Sequence, residues 1–230
     1  MGMDQERKEY LHGVFTGPLL KLKDTLLMMA SLTDRNMMLA VTSYSERSEE
    51  KAALVEAEDA VIDRLEIEVD DMVVTYVSTH GPMATACRVA LSASKISEAL
   101  ENIADQSVTI ARRSRQLARL PEVEAGADIP KMAQLTLAMI RDSISAFVEV
   151  NPEKALGIKK RDKEVDALNY AYEQKLNQIM QENPKLVEPC THTMLICRSL
   201  ERAADYAKNI AEDVVFLYTA QDIRHGNNKI

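Results

Sequence analysis

Asp59-Ala60-Val61-Ile62-Asp63 and Glu101-Asn102-Ile103-Ala104-Asp105 stand on either side of His80-Gly81-Pro82, and their spacing decides the fold. Asp59 and Asp63 lie 23 and 19 residues before Pro82, and Glu101 and Asp105 lie 19 and 23 residues after it. Residues four apart on a helix share one face. If Gly81-Pro82 marks the turn of an antiparallel helix pair, Asp59 falls opposite Asp105 and Asp63 opposite Glu101. Asp162 and Asp166, followed by Glu201 and Asp205, repeat the arrangement about Asn183-Pro184. There the predicted pairs are Asp162 with Asp205 and Asp166 with Glu201. The spacing therefore predicts two quartets of acidic oxygens, each about 30 Å from its turn.

The offsets between the halves indicate a duplication. Asp59 to Asp162 and Asp63 to Asp166 are both 103 residues, and Glu101 to Glu201 and Asp105 to Asp205 are both 100. Lys51-Ala52 returns as Lys154-Ala155 at the same 103. A slightly shorter loop accounts for the difference. The expected fold is all-α, with two tandem three-helix bundles built from six long helices. Residues 1–119 are expected to form the first bundle and 131–220 the second. Residues 120–130, with Pro121, Gly126 and Pro130, read as the linker, and 221–230 as a polar tail.

Local signals place the helices. Leu19, Leu22, Leu26, Met29 and Leu32 predict a first helix over about residues 4–44, kinked or delayed by Gly17-Pro18. Ser43, Ser45 and Ser48 are candidate caps for a second helix over about 48–79. Its core stripe is expected at Leu54, Val61, Leu65, Val69 and Met72 or Val73. Gly81 suits the residue after a helix, and Pro82 the first turn of a third over about 83–118. A fourth is expected over about 131–150, and Asn151-Pro152 and Asn183-Pro184 signal the starts of the fifth and sixth.

Composition excludes several functions. Three Phe and no Trp make a helix former's composition, poor in the aromatic residues that strands favour. Seven glycines form no phosphate-binding loop, which argues against nucleotide binding. The formal charge of −8 removes the basic footprint that holds nucleic acid or anionic lipid. Cys87, Cys190 and Cys197 show no CxxC spacing and read as buried thiols of a reducing cytoplasm. Without a signal peptide or an apolar run near about 18 residues, a soluble protein is expected.

Four carboxylates packed together repel unless a cation sits among them. Oxygen-only ligand sets suit Mg, Ca, Mn or Fe better than soft metals. An acidic pair on one helix is ordinarily a solvated face, but these pairs recur at mirrored positions in both halves. Glu66 and Glu98, 16 residues either side of Pro82, extend the first quartet by a turn. Of His12, His80, His192 and His225, only His12 follows a glutamate at i+3, outside both quartets. The paired Glu-x-x-His of di-iron bundle enzymes is therefore missing. No catalytic Ser/His/Asp or Cys/His set has sequence support.

Leu200-Glu201-Arg202-Ala203-Ala204-Asp205, with Asn209-Ile210-Ala211-Glu212, resembles the L-E-R-[IA]-[GA]-D…N-I-A-E signature of the phosphate-uptake regulator family, PhoU. Arg161-Asp162-Lys163-Glu164-Val165-Asp166-Ala167-Leu168 is similar to its R-D-x-E-[IV]-D-x-L. The first half is a looser copy, with Asn102 in place of the signature arginine and Thr109 in place of the asparagine. Tyr206 stands where the family commonly has histidine. The resemblance covers about Phe15 to Leu217. It implies metal sites at Asp59, Asp63, Glu101 and Asp105 and at Asp162, Asp166, Glu201 and Asp205, with iron, manganese or magnesium as candidates. It further implies a non-enzymatic cytoplasmic regulator linking a phosphate ABC transporter ATPase to a sensor histidine kinase, with a homodimer among the expected states. The alternative is a metal-binding helical module or transporter accessory outside kinase signalling.

Overall fold

Ser48 and Asn151 are 103 residues apart and cap helices in the same way. Each has an extended backbone. The Ser48 hydroxyl accepts from the Lys51 N–H at 3.2 Å, and the Asn151 side chain from the Lys154 N–H at 3.1 Å. Each cap satisfies one of the orphan donors of a first turn. The computed structural model describes residues 13–123, 128–149 and 151–220. It contains six long helices: α1 (Pro18–Ser45), α2 (Glu49–His80), α3 (Ala84–Leu117), α4 (Asp128–Glu149), α5 (Pro152–Glu182) and α6 (Val187–Thr219). A 3₁₀ turn, Pro184–Leu186, leads into α6. The expected start of the first helix at residues 4–12 and the polar tail at 221–230 lie outside the described residues.

The turns follow the local chemistry, with two corrections. Gly17, with φ of 53°, precedes Pro18 at the first helical position, so the regular helix starts there. Gly81 ends α2 in the left-handed conformation, its N–H reaching the Val77 carbonyl at 3.3 Å. Pro82, however, is not in the first turn of α3. Met83 is extended and takes the N-cap position, so the helix opens at Ala84. Pro184 likewise opens the 3₁₀ turn, closed by the Leu186 N–H on the Asn183 carbonyl at 2.9 Å, and regular α-helix begins at Val187.

The buried faces repeat between halves. In α2 Ala52, Val55, Ile62, Val69 and Val73 are enclosed, and in α5 Ala155, Ile158, Val165, Tyr172 and Leu176, each 103 residues on. Ile96, Leu100, Ala104 and Ile110 of α3 answer to Ile196, Leu200, Ala204 and Ile210 of α6. The expected stripe of α2 needs amending: Leu54 and Val61 are 47% and 37% exposed. Neighbours in Leu54-Val55 and Val61-Ile62 project about 100° apart, so only one of each pair can face the interior. Cys190 and Cys197 are buried as expected, but Cys87 is only half-buried.

The two bundles meet along α3 and α6, which run antiparallel and share the most extensive contact. Lys95 of α3 pairs with Asp213 of α6 at 3.4 Å. Arg141 of α4 also holds Asp34 of α1 through two bonds of 2.8 and 3.1 Å. Buried Thr33 and Thr136, again 103 apart, donate to the Leu100 and Leu200 carbonyls at 3.4 and 3.2 Å. These bonds tie α1 to α3 and α4 to α6. Each leaves the opposite side of its third helix to face α2 or α5.

Candidate metal centre

α2 and α3 run antiparallel about Gly81, and their seam carries Asp59, Asp63, Glu101 and Asp105. Partial burial, then the charges of Asp63 and Asp105, push the Asp59 carboxyl up to about 6. Burial, then Asp105, Glu66, Asp63 and Asp59, push Glu101 up to about 7. Asp63 and Asp105 thus act on both Asp59 and Glu101 across the seam. Glu66 joins them one turn on, raised by burial and then by Asp70, Glu98, Asp63 and Asp105. Arg112 lowers Asp59 from the edge of the group, but its own ion pair is with Glu56 at 3.4 Å. The first seam therefore gathers carboxylates with little compensation.

The second seam, between α5 and α6, contains its own cation. Lys208 Nζ lies 2.7 Å from Asp162 Oδ2 and also bonds Asp205 Oδ1. Burial alone would pull the Lys208 ammonium down, but its hydrogen bonds and charge pairs with Asp162 and Asp205 outweigh that and raise it. Asp166 and Glu201 remain raised, first by burial and then by neighbouring acids of the same quartet. The position equivalent to Lys208 in the first half is Val108, and those equivalent to Glu66 and Glu98 in the second are Asn169 and Arg198. The second seam is partly neutralised by its own lysine, and the first is not. Sequence spacing did not single out Lys208, although its place three residues after Asp205 puts it on the acidic face.

The donor sets suit a hard cation, being oxygen-only. Asp162 is buried, and its Oδ1 has no hydrogen-bond partner while Oδ2 takes Lys208. Leaving such an oxygen unpaired costs free energy that a cation would return. Among the described residues, no three Asp, Glu, His or Cys side chains are drawn together tightly enough to hold one ion. Asp63, Asp105 and Asp166 extend towards solvent. His80 lies apart from the seam, stacked on Tyr76 with ring centroids 4.9 Å apart. His192 also contributes to neither quartet.

Two three-helix repeats, each with an acidic seam between its second and third helix, define a duplicated helical-bundle protein. The chain belongs to the PhoU family: the PhoU domain profile matches residues 26–114 and again 129–214. A phosphate-specific transport system accessory protein PhoU homolog of Zymomonas mobilis is 31% identical over 88% of this chain and 85% of its own. One from Pseudomonas putida is 30% identical over 92% and 83%. The crystal structure of PhoU from Pseudomonas aeruginosa aligns with a TM-score of 0.86 at 28% identity, covering 90% of this chain and all of that one. The phosphate transport system regulatory protein PhoU from Streptococcus pneumoniae aligns at 0.81 and 25%, covering 89% and 96%. The chain is thus a regulatory or accessory protein and not an enzyme. Among the described residues no helix is long and apolar enough to cross a membrane.

Proposed function

We propose that this protein is a cytoplasmic negative regulator of phosphate uptake and of phosphate-starvation signalling. It works as an adaptor between a phosphate ABC transporter ATPase and a sensor histidine kinase, reaching the membrane only through these partners. The observation that carries this reading is the presence of both PhoU domains in order, over most of the chain. The relatives' names, transport-system accessory and regulatory protein, point the same way. The outer face of α2 supports an interaction role: Ile67 and Val74, two turns apart, are 62% and 64% exposed, and Met83 beyond them is 84% exposed. Such anchors suit the groove or helix of a partner.

In this proposal Asp59, Asp63, Glu101 and Asp105 hold one metal centre, and Asp162, Asp166, Glu201 and Asp205 the other. Iron, manganese or magnesium would supply positive charge between two helices that otherwise repel along their seam. The chain's contribution is to fix α2 against α3 and α5 against α6, so that the outer faces are presented in constant register. The division into residues 1–119, a 120–130 linker, 131–220 and a 221–230 tail belongs to the same proposal.

Deletion of the gene in its native host at high phosphate tests the adaptor role, together with affinity capture from that host. Expression of starvation genes at high phosphate and recovery of the transporter ATPase or the kinase are expected. Silent starvation genes and capture of neither partner would leave a metal-binding module outside kinase signalling.

A further inference from the structure

Because α3 and α6 cross antiparallel between duplicated halves, their contact has two related notches, one on each side of the crossing. One is lined by Lys95, Glu98 and Asn102 of α3 and by Tyr206, Asn209 and Asp213 of α6. In the other, α6 supplies the equivalent positions and the chemistry changes. Arg198 and Arg202 stand where the first has Glu98 and Asn102, and Arg112 comes across from α3. The three guanidinium groups line a single notch of about 480 Å³.

Its floor includes buried polar side chains beside Val108. Gln106 and Ser199 line it and are only 7% and 4% exposed, offering an amide and a hydroxyl beneath the arginines on the exposed rim. The one carboxylate in the lining is Asp105, while Glu56 meets Arg112 at 3.4 Å and Glu201 feels the charge of Arg198 from outside it. Arg112 and Arg202 are loosely committed compared with other arginines in the molecule. Arg119 grips Glu49 at 3.0 and 2.8 Å, and Arg141 grips Asp34 through two bonds, both in fork geometry. Arg112 instead has a single contact of 3.4 Å to Glu56, and Arg202 donates to the Tyr206 hydroxyl at 3.3 Å. Guanidinium forks lining one notch match the oxygens of a tetrahedral dianion. They are gathered here in a chain of net charge −8, where a cationic concavity stands against the prevailing field.

We propose that this notch, built by Arg112, Arg198 and Arg202 at the α3–α6 crossing, binds a dianionic phosphate group. The group is either free inorganic phosphate or a phosphoryl group carried on another molecule, since the notch is open to solvent. The site stands on the arginines and does not depend on metal at either seam. Its nearness to Asp105, which faces both the notch and the first seam, places it beside the acidic centre.

Isothermal titration of the intact protein tests it, in chelator-treated, low-salt buffer at slightly alkaline pH, where phosphoryl groups are dianionic. The probes are inorganic phosphate and glycerol phosphate. Saturable binding at one site per chain is expected. It should weaken about tenfold or more in Arg198→Ala plus Arg202→Ala. Arg198→Lys plus Arg202→Lys, which keeps the charge but loses the fork, should fall between. Lys95→Ala in the related notch should bind like wild type. Tighter binding of inorganic phosphate identifies the free ion, and tighter binding of the ester a carried group. Absence of saturable binding by wild type, undiminished binding by the double alanine variant, or equal weakening by Lys95→Ala would overturn the proposal. Both arginines are exposed, and matching melting temperatures will separate lost binding from lost folding.

Discussion

Lys208 is the residue on which the two halves part. It occupies, as an ammonium between Asp162 and Asp205, the place that the first half leaves to Val108. Lys208→Met keeps the length of the side chain and removes the charge, leaving a buried carboxylate without its partner. The metal-free protein should lose about 1–3 kcal/mol, read as a lower urea midpoint. The first seam makes a prediction with pH. Asp59 and Glu101 titrate near 6 and 7, above their unfolded values. Between about pH 4 and 7 the folded protein therefore holds protons that the unfolded chain has released, and stability falls as pH rises through that window. The slope should be visible in urea midpoints of metal-free protein and should flatten in Asp59→Asn plus Glu101→Gln. An unchanged slope in that variant would remove these two groups from the account. The quartets themselves were legible in the sequence because a four-residue step and a mirrored spacing need only helix geometry. Lys208's role was not, because adjacency on a face does not say which oxygens an ammonium will reach.

At the scale of the element, the caps show the duplication most plainly. Ser48→Ala and Asn151→Ala should each cost about 1 kcal/mol in chemical denaturation, since each removes the acceptor of one first-turn N–H. Gly81→Ala should cost about the same, because its φ of 52° is a conformation alanine resists. A loss below a few tenths at Gly81 would mean that the α2–α3 turn can relax. Cap and breaker residues carry local information, so Gly81 and Asn151 could be placed from sequence, and the α2 cap was narrowed to Ser43, Ser45 or Ser48, of which the structure uses Ser48. The prolines were less informative. Pro82 permits a first turn but does not require one, and an extended Met83 delays α3 by two residues. The stripe of α2 was ambiguous for a different reason. Leu54-Val55 and Val61-Ile62 offer two apolar phases, and only the positions of α1 and α3 choose between them.

For the whole molecule, the account is that duplication produced two acidic seams and divergence gave them different counter-charges. The arginine notch at the α3–α6 crossing is a product of the same divergence. It was invisible in the sequence because it joins residues of different halves. The seams lead to a direct comparison. A cation that binds only the folded state at a hundredfold excess over its dissociation constant stabilises by about 2.7 kcal/mol. In the first seam relief of carboxylate repulsion contributes to the affinity that sets this gain. In the second the cation must compete with Lys208. The deciding measurement is the melting temperature of chelator-stripped protein titrated with manganese near neutral pH, in wild type, Asp59→Asn plus Glu101→Gln, and Lys208→Met. The account predicts a saturable rise in wild type, a much smaller rise in the first-seam variant and a larger one in Lys208→Met. A wild-type melting temperature indifferent to manganese, or the same rise in all three proteins, would contradict it.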